Sequence, residues 1–192
     1  IVRQADGSFE VNQVDWEVAL VGDTAVGGTN PRASFVGKKI SKILFFRNRL
    51  ALLADEYVVL SRPGDFYNFW AKTALTFTPT DMIDISCSSD KPAVIYDGIQ
   101  VNSGLVLFTK TQQFMLTTDS DVLSPQTAKI NALANYNFNY QTNPISLGTT
   151  IGFLDNAGKN SRFWEVARVL REGEPDVIEQ SKVVSKLFNK DL

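Results

Sequence analysis

Between Phe45 and Trp70 the chain reads FFRNRLALLADEYVVLSRPGDFYNFW, and this stretch sets the fold class. Two apolar runs, Ile43–Phe46 and Leu50–Ala54, are joined by Arg47-Asn48-Arg49, and a third, Tyr57–Leu60, follows the polar pair Asp55-Glu56. Runs this short, separated by so few polar residues, predict β-strands with tight connections. Arg62-Pro63-Gly64-Asp65 reads as a turn. Proline presets φ, glycine accepts positive φ, and Phe66, Tyr67, Phe69 and Trp70 follow as an aromatic plug. Of these, Phe66, Phe69 and Trp70 are expected to fill a core beneath the turn.

The same rhythm extends outward. Ala93–Tyr96, Leu105–Lys110 and Gln112–Thr118 read as strands, with Asp97-Gly98 and Lys110-Thr111 as breaks. Thr149–Asp155 and Arg162–Leu170 predict a hairpin across Asn156–Asn160. Gly22–Pro31 carries turn dipeptides and reads as a loop. Phe9–Val21 fits strand alternation through Val14, Trp16, Val18 and Leu20, and also fits a helix through Val11, Val14, Val18 and Val21; its surroundings favour strand. Phe66–Ala74 and Val177–Phe188 have helical spacing. Turn signals every ten residues or so point to an all-β sandwich, barrel or propeller, and no exact repeat selects among them.

Composition limits the function. The 192 residues suffice for one good core or a large piece of a bigger domain, and 44% hydrophobic with 21% charged residues is a globular balance. The chain opens on Ile1, which reads as a piece of a longer polypeptide. No apolar run approaches the length of a membrane span. A net charge of −2 argues against a free nucleic-acid binder. The lone Cys87 allows no internal disulfide. With no histidine, Ser-His-Asp and Cys-His nucleophile arrangements and histidine-bearing zinc sites are excluded. Acid–base chemistry would need carboxylates, lysine or tyrosine.

Each candidate group has a plainer structural alternative. Arg47, Arg49 and Arg62 fit contact with a subunit or with DNA, but the favoured reading is ion pairs with Asp55, Glu56 or Asp65, or bonds to turn carbonyls. Asp65 is expected to bind backbone amides rather than act chemically. Asp81 and Asp84 as a carboxylate pair for glycoside hydrolysis, and Asp119-Ser120-Asp121 as the start of a calcium loop, both lack supporting spacing. Tyr136, Phe138 and Tyr140 alternate with asparagines and suit stacking on sugars or bases; packing in a core or interface is favoured. Lys38, Lys39 and Lys42 read as a solvated edge that discourages strand pairing. No catalytic, cofactor-binding or metal-binding residue is assigned.

The opening stretch also resembles a known family, the tail tubular protein B or nozzle proteins of short-tailed bacteriophages. Arg49, Leu50, Val58, Ser61, Gly64, Asp65, Phe66, Asn68 and Phe69 match its RL strand and its V-x-x-S-x-x-G-D-F-x-N-F segment. Trp16, Gly22-Asp23, Asn30-Pro31 and Ser34–Gly37 resemble a run upstream. Leu105–Phe108 with Gln113-Phe114, Ser124-Pro125, and Gly148 with Ile151–Phe153 resemble runs downstream. The resemblance covers roughly Trp16 to Leu170, and family members are several times longer. It implies a β-propeller-like or other multi-sheet body with short helical connectors, part of a larger protein. It also implies a structural role without enzymatic activity or cofactor, in a homo-oligomeric ring of the virion tail through which genomic DNA is ejected. The implied partners are the adjacent tail tube or adaptor protein, tail fibres, and DNA passing without sequence specificity, after assembly in the host cytoplasm. The expected divisions are residues 1–38 as an entering strand and loop region, 39–170 as the propeller-like body and 171–192 as a C-terminal connector. The competing reading is a carbohydrate-active or carbohydrate-binding module acting on bacterial surface polysaccharide.

Overall fold

The computed structural model describes residues 1–89, 92–156, 159–167, 175–184 and 187. The chain is all-β. A short exposed ribbon, β1 (Val2–Arg3) and β2 (Phe9–Glu10), is followed by three four-stranded antiparallel sheets. The first holds β3 (Ile40–Phe46), β4 (Arg49–Ala54), β5 (Tyr57–Leu60) and β6 (Ile83–Ser86). The second holds β7 (Ile95–Val101), β8 (Gly104–Thr109), β9 (Gln113–Thr118) and β10 (Ala128–Ala134). The third holds β11 (Ile145–Ser146), β12 (Ile151–Asp155), β13 (Arg162–Ala167) and β14 (Asp176–Glu179). Each is a simple meander in which every strand pairs with the next in sequence.

Side-chain alternation stacks these sheets face to face. From β4 and β5, Ala51, Leu53, Val58 and Leu60 meet Leu105, Leu107, Phe114 and Leu116 of the second sheet in one core. The opposite face of the second sheet sends Val106, Phe108 and Met115 against Ile151, Phe153 and Val166 of the third. The outer face of the first sheet, with Leu50, Leu52 and Val59, is covered by Ala33 and Phe69 from irregular segments. Strands β4, β8 and β9 are therefore buried on both faces, which is why they read as continuous apolar runs.

The β3–β4 hairpin turns on Arg47 and Asn48, whose φ values of 47° and 59° are those of a tight primed turn. At the Arg62–Asp65 turn, Gly64 has φ 74° and its amide donates to the Asn48 carbonyl at 2.8 Å, tying the two turns together.

Several local expectations are corrected. Asp97-Gly98 does not break the chain but lies inside β7, where the register shifts past Tyr96 in a bulge. Of Phe9–Val21 only Phe9 and Glu10 pair as a strand; the alternating residues beyond them find no ladder. Phe66–Ala74 forms turns and bends rather than a helix, because its aromatics are spread over separate contacts. Val177–Phe188 begins as β14 and continues as a 3-10 turn, Gln180–Val183; residues 185, 186 and 188 lie outside the described residues. The β12–β13 hairpin forms, and residues 157, 158 and 168–170 of that expectation lie outside the described residues.

Candidate functional site

The outer face of the first sheet carries the main aromatic cluster. Phe69 is buried there, with Phe35 at 5.1 Å and Trp16 at 5.6 Å between ring centroids. Tyr67 meets Trp16 edge-on at 6.0 Å. Together with Trp70, Ile40, Val36, Arg32, Lys38 and Glu17 these residues line a largely apolar cavity of about 460 Å³. Its walls are fixed by backbone-directed bonds. Trp70 Nε1 donates to the Glu17 carbonyl at 2.7 Å, and the Glu17 amide donates to the Tyr67 carbonyl at 3.1 Å. The buried Asn30 donates to the Val21 and Ala71 carbonyls and accepts from the Ala71 amide, stapling the Gly22–Pro31 loop to the segment after the aromatic plug. Exposed Ile43 and Phe45 on β3 extend the same apolar face, since they pair with Leu52 and Leu50. This face is rich in rings and poor in convergent polar groups, a composition that suits contact with another surface rather than chemistry.

The arginines divide. Arg49 is buried and all four of its bonds go to carbonyls: Nη1 to Ser61 at 2.8 Å and Asp81 at 2.6 Å, Nη2 to Pro79 at 2.9 Å and Leu123 at 3.2 Å. The carbonyl-bonding alternative therefore holds for it. Burial lowers its pKa, opposed by the nearby Asp81 charge. Arg47 and Arg62 are half-buried and also reach carbonyls, of Asp121 and Thr80.

Asp81 and Asp84 are occupied by the backbone. Asp81 accepts from the amides of Lys72 (2.7 Å) and Thr78 (2.6 Å). Asp84, on β6, accepts from the Ser34 amide at 2.7 Å; burial raises its pKa, opposed by the Ser34 bond and by Lys38. Asp119 pairs with Lys129, and among the described residues no group of three or more His, Cys, Asp or Glu is placed to hold a metal ion. Asp65 differs from expectation: its side chain accepts from the Asn68 side chain at 3.0 Å, and Asn68 Oδ1 in turn accepts from the Trp70 amide. Of the plug, Phe69 fills the core, whereas Phe66 is half-buried against the exposed Phe45 and Trp70 lines the cavity.

The basic cluster is also less solvated than its sequence suggests. Lys38 pairs with Asp55 at 3.3 Å and lies over the Tyr57 ring, and Lys42 pairs with the buried Asp97 of the β7 bulge at 3.0 Å. Lys39 is exposed. Tyr136, Phe138 and Tyr140 lie outside the strands and each ring is taken up by a neighbour: Trp164 at 4.8 Å, Phe108 at 4.9 Å and Tyr96 at 4.8 Å. Phe138 is buried and Tyr136 half-buried by this packing, whereas Tyr140 stacks on Tyr96 but stays half-exposed. Reading the sequence missed Asn30 and the Lys42–Asp97 pair. Asn30-Pro31 signals a turn but not its distant partners, and Lys42 and Asp97 lie in different sheets.

No helix among the described residues is long and apolar enough to cross a membrane. The sequence matches the family model for bacteriophage nozzle protein over residues 1–191. It is 30% identical over 168 residues to Tail tubular protein gp12 of Escherichia phage T7, covering 88% of this chain and 20% of that protein. The chain thus spans about a fifth of the relative's length. On the strength of that match over nearly its whole length, the chain belongs to the bacteriophage nozzle protein family.

Proposed function

We propose that the chain is part of the wall of a phage tail nozzle, in an oligomeric ring through which the genome is ejected. The observation that carries this reading is the nozzle-family match over residues 1–191. In this reading residues 39–170 form most of a propeller-like body, whose third sheet is completed by β14 (Asp176–Glu179), residues 1–38 form an entering region and the rest of 171–192 a connector. The three stacked meanders support it, because consecutive four-stranded sheets packed face to face are how propeller blades are arranged. The aromatic face of the first sheet serves assembly with other tail components, among them an adaptor and fibres. The role is structural and not enzymatic, within a virion assembled in the host cytoplasm. DNA passes without sequence-specific contact. The net charge of −2 suits a wall that does not retain phosphate.

The test is a conditional nonsense allele of the whole protein. Particles made without it are expected to package DNA yet lack the distal tail structure and fail to eject. Normal tails and normal ejection would overturn the proposal. A purified sample should bind duplex DNA only weakly, with loss on adding salt.

A further inference from the structure

Arg49 keeps its charge in the interior, and among the described residues no carboxylate lies within ion-pair distance of it. Its carbonyl partners come from separated places. Ser61 follows β5, Pro79 and Asp81 precede β6, and Leu123 lies in the connection between β9 and β10 of the second sheet. The Asp81 carboxylate is instead held by the amides of Lys72 and Thr78. Carbonyls fixed this way around one site match a planar cation whose N–H groups fan outward, and match a compact ammonium poorly.

We infer that these carbonyls form a guanidinium receptor, with Arg49 as its built-in ligand, and that filling it clamps the β9–β10 connection of the second sheet onto the first. The receptor is complete only when the two sheets are docked, because Leu123 belongs to one sheet and the other acceptors to its neighbour. Removing the side chain leaves a polar cavity shaped for free guanidinium ion.

The experiment uses Arg49→Ala in the whole protein. Its thermal midpoint is expected to fall on the order of 10 °C. Amide hydrogen exchange at Thr127 and Ala128, whose N–H groups bond to the Ser124 carbonyl, should accelerate by about tenfold or more, with Ile151–Asp155 unchanged. Millimolar guanidinium chloride, far below denaturing concentrations, should restore both readouts saturably. Ammonium and sodium chloride at equal concentration should not, and Arg49→Lys should recover less than half of the loss. If Arg49→Ala does not fold alone, refolding yield with and without guanidinium makes the same comparison. The inference is overturned by absent or unsaturable rescue, by equal rescue with ammonium, or by equal acceleration across Ile151–Asp155.

Discussion

Replacing Phe69 with alanine should be the most damaging change in the segment from Ser61 to Trp70. Phe69 is 5% exposed and packs on Leu50, Leu52 and Val59, with Phe35 and Trp16 rings against it. Phe→Ala in a packed core costs about 3–5 kcal/mol, part of it from the void left behind. Here the void would open into the neighbouring 460 Å³ cavity, so the lower end, about 3 kcal/mol, is expected. Phe66 is half-buried against a Phe45 that is itself 61% exposed, so Phe66→Ala should cost about 1 kcal/mol. Asp65→Ala loses an exposed hydrogen bond to Asn68 and should cost less than about 1 kcal/mol. For a unit of this size the midpoints should fall by about 6–12 °C, 2–4 °C and under 4 °C respectively. Thermal unfolding followed by circular dichroism, with the summed fluorescence of Trp16, Trp70 and Trp164 as a second probe, measures all three. If Phe66→Ala matched or exceeded Phe69→Ala, the assignment of the buried anchor would be wrong.

Three further outcomes are expected. Burial, then the Glu56 charge, raises the Cys87 pKa from 9.0 to about 12, so the native thiol should resist alkylation at neutral pH. Because the folded value is the higher one, the neutral thiol's contribution is whole below pH 9 and lost as pH rises toward 12, which denaturant titrations of Cys87→Ala against the parent would show as a smaller alkaline loss in the variant. Asp84 is likewise raised, so its protonated form favours the fold and its charge opposes it; Asp84→Asn, which keeps an acceptor for Ser34, should gain stability at neutral pH and lose that gain in acid, as urea midpoints across pH would reveal. Lys42→Met strands the buried Asp97 and should cost about 1–3 kcal/mol, with Lys42→Met/Asp97→Asn recovering part of it in a double-mutant cycle.

What the sequence made legible follows from the range over which its signals act. β4 and β5 could be read directly because short polar turns bracket them, and the Arg47-Asn48 and Arg62–Asp65 turns depend on local backbone preference. The same local logic failed at Asp97-Gly98. There a turn dipeptide is absorbed into a bulge because its carboxylate is needed by Lys42 on another sheet. Val14, Trp16, Val18 and Leu20 alternate correctly for a strand, yet alternation cannot supply a neighbouring ladder. The expectation that Phe66 fills the core alongside Phe69 failed for a related reason: Phe69 is buried, whereas Phe66 is only half-buried. Both follow the turn closely, and only the Asn30 staple and the Trp16 and Phe35 rings decide which of them faces inward. Arg49 was expected to meet turn carbonyls, but the reach to Leu123 spans two sheets.

The strict meander order bears on how the chain is made. Every strand of a sheet pairs with its sequence neighbour, so loop-closure costs are small and each sheet can form soon after its last strand leaves the ribosome. The first sheet is complete at Ser86, whereas the second needs Ala134. At about 5–20 residues per second that gap lasts roughly 2–10 s. Throughout it, the face carrying Ala51, Leu53, Val58 and Leu60 has no completed partner sheet, and for most of it the Leu123 acceptor of Arg49 has not yet been synthesised. The nascent first sheet is therefore the species most exposed to misassociation, and slowing translation between residues 86 and 134 should lower the yield of soluble protein more than slowing it after residue 134.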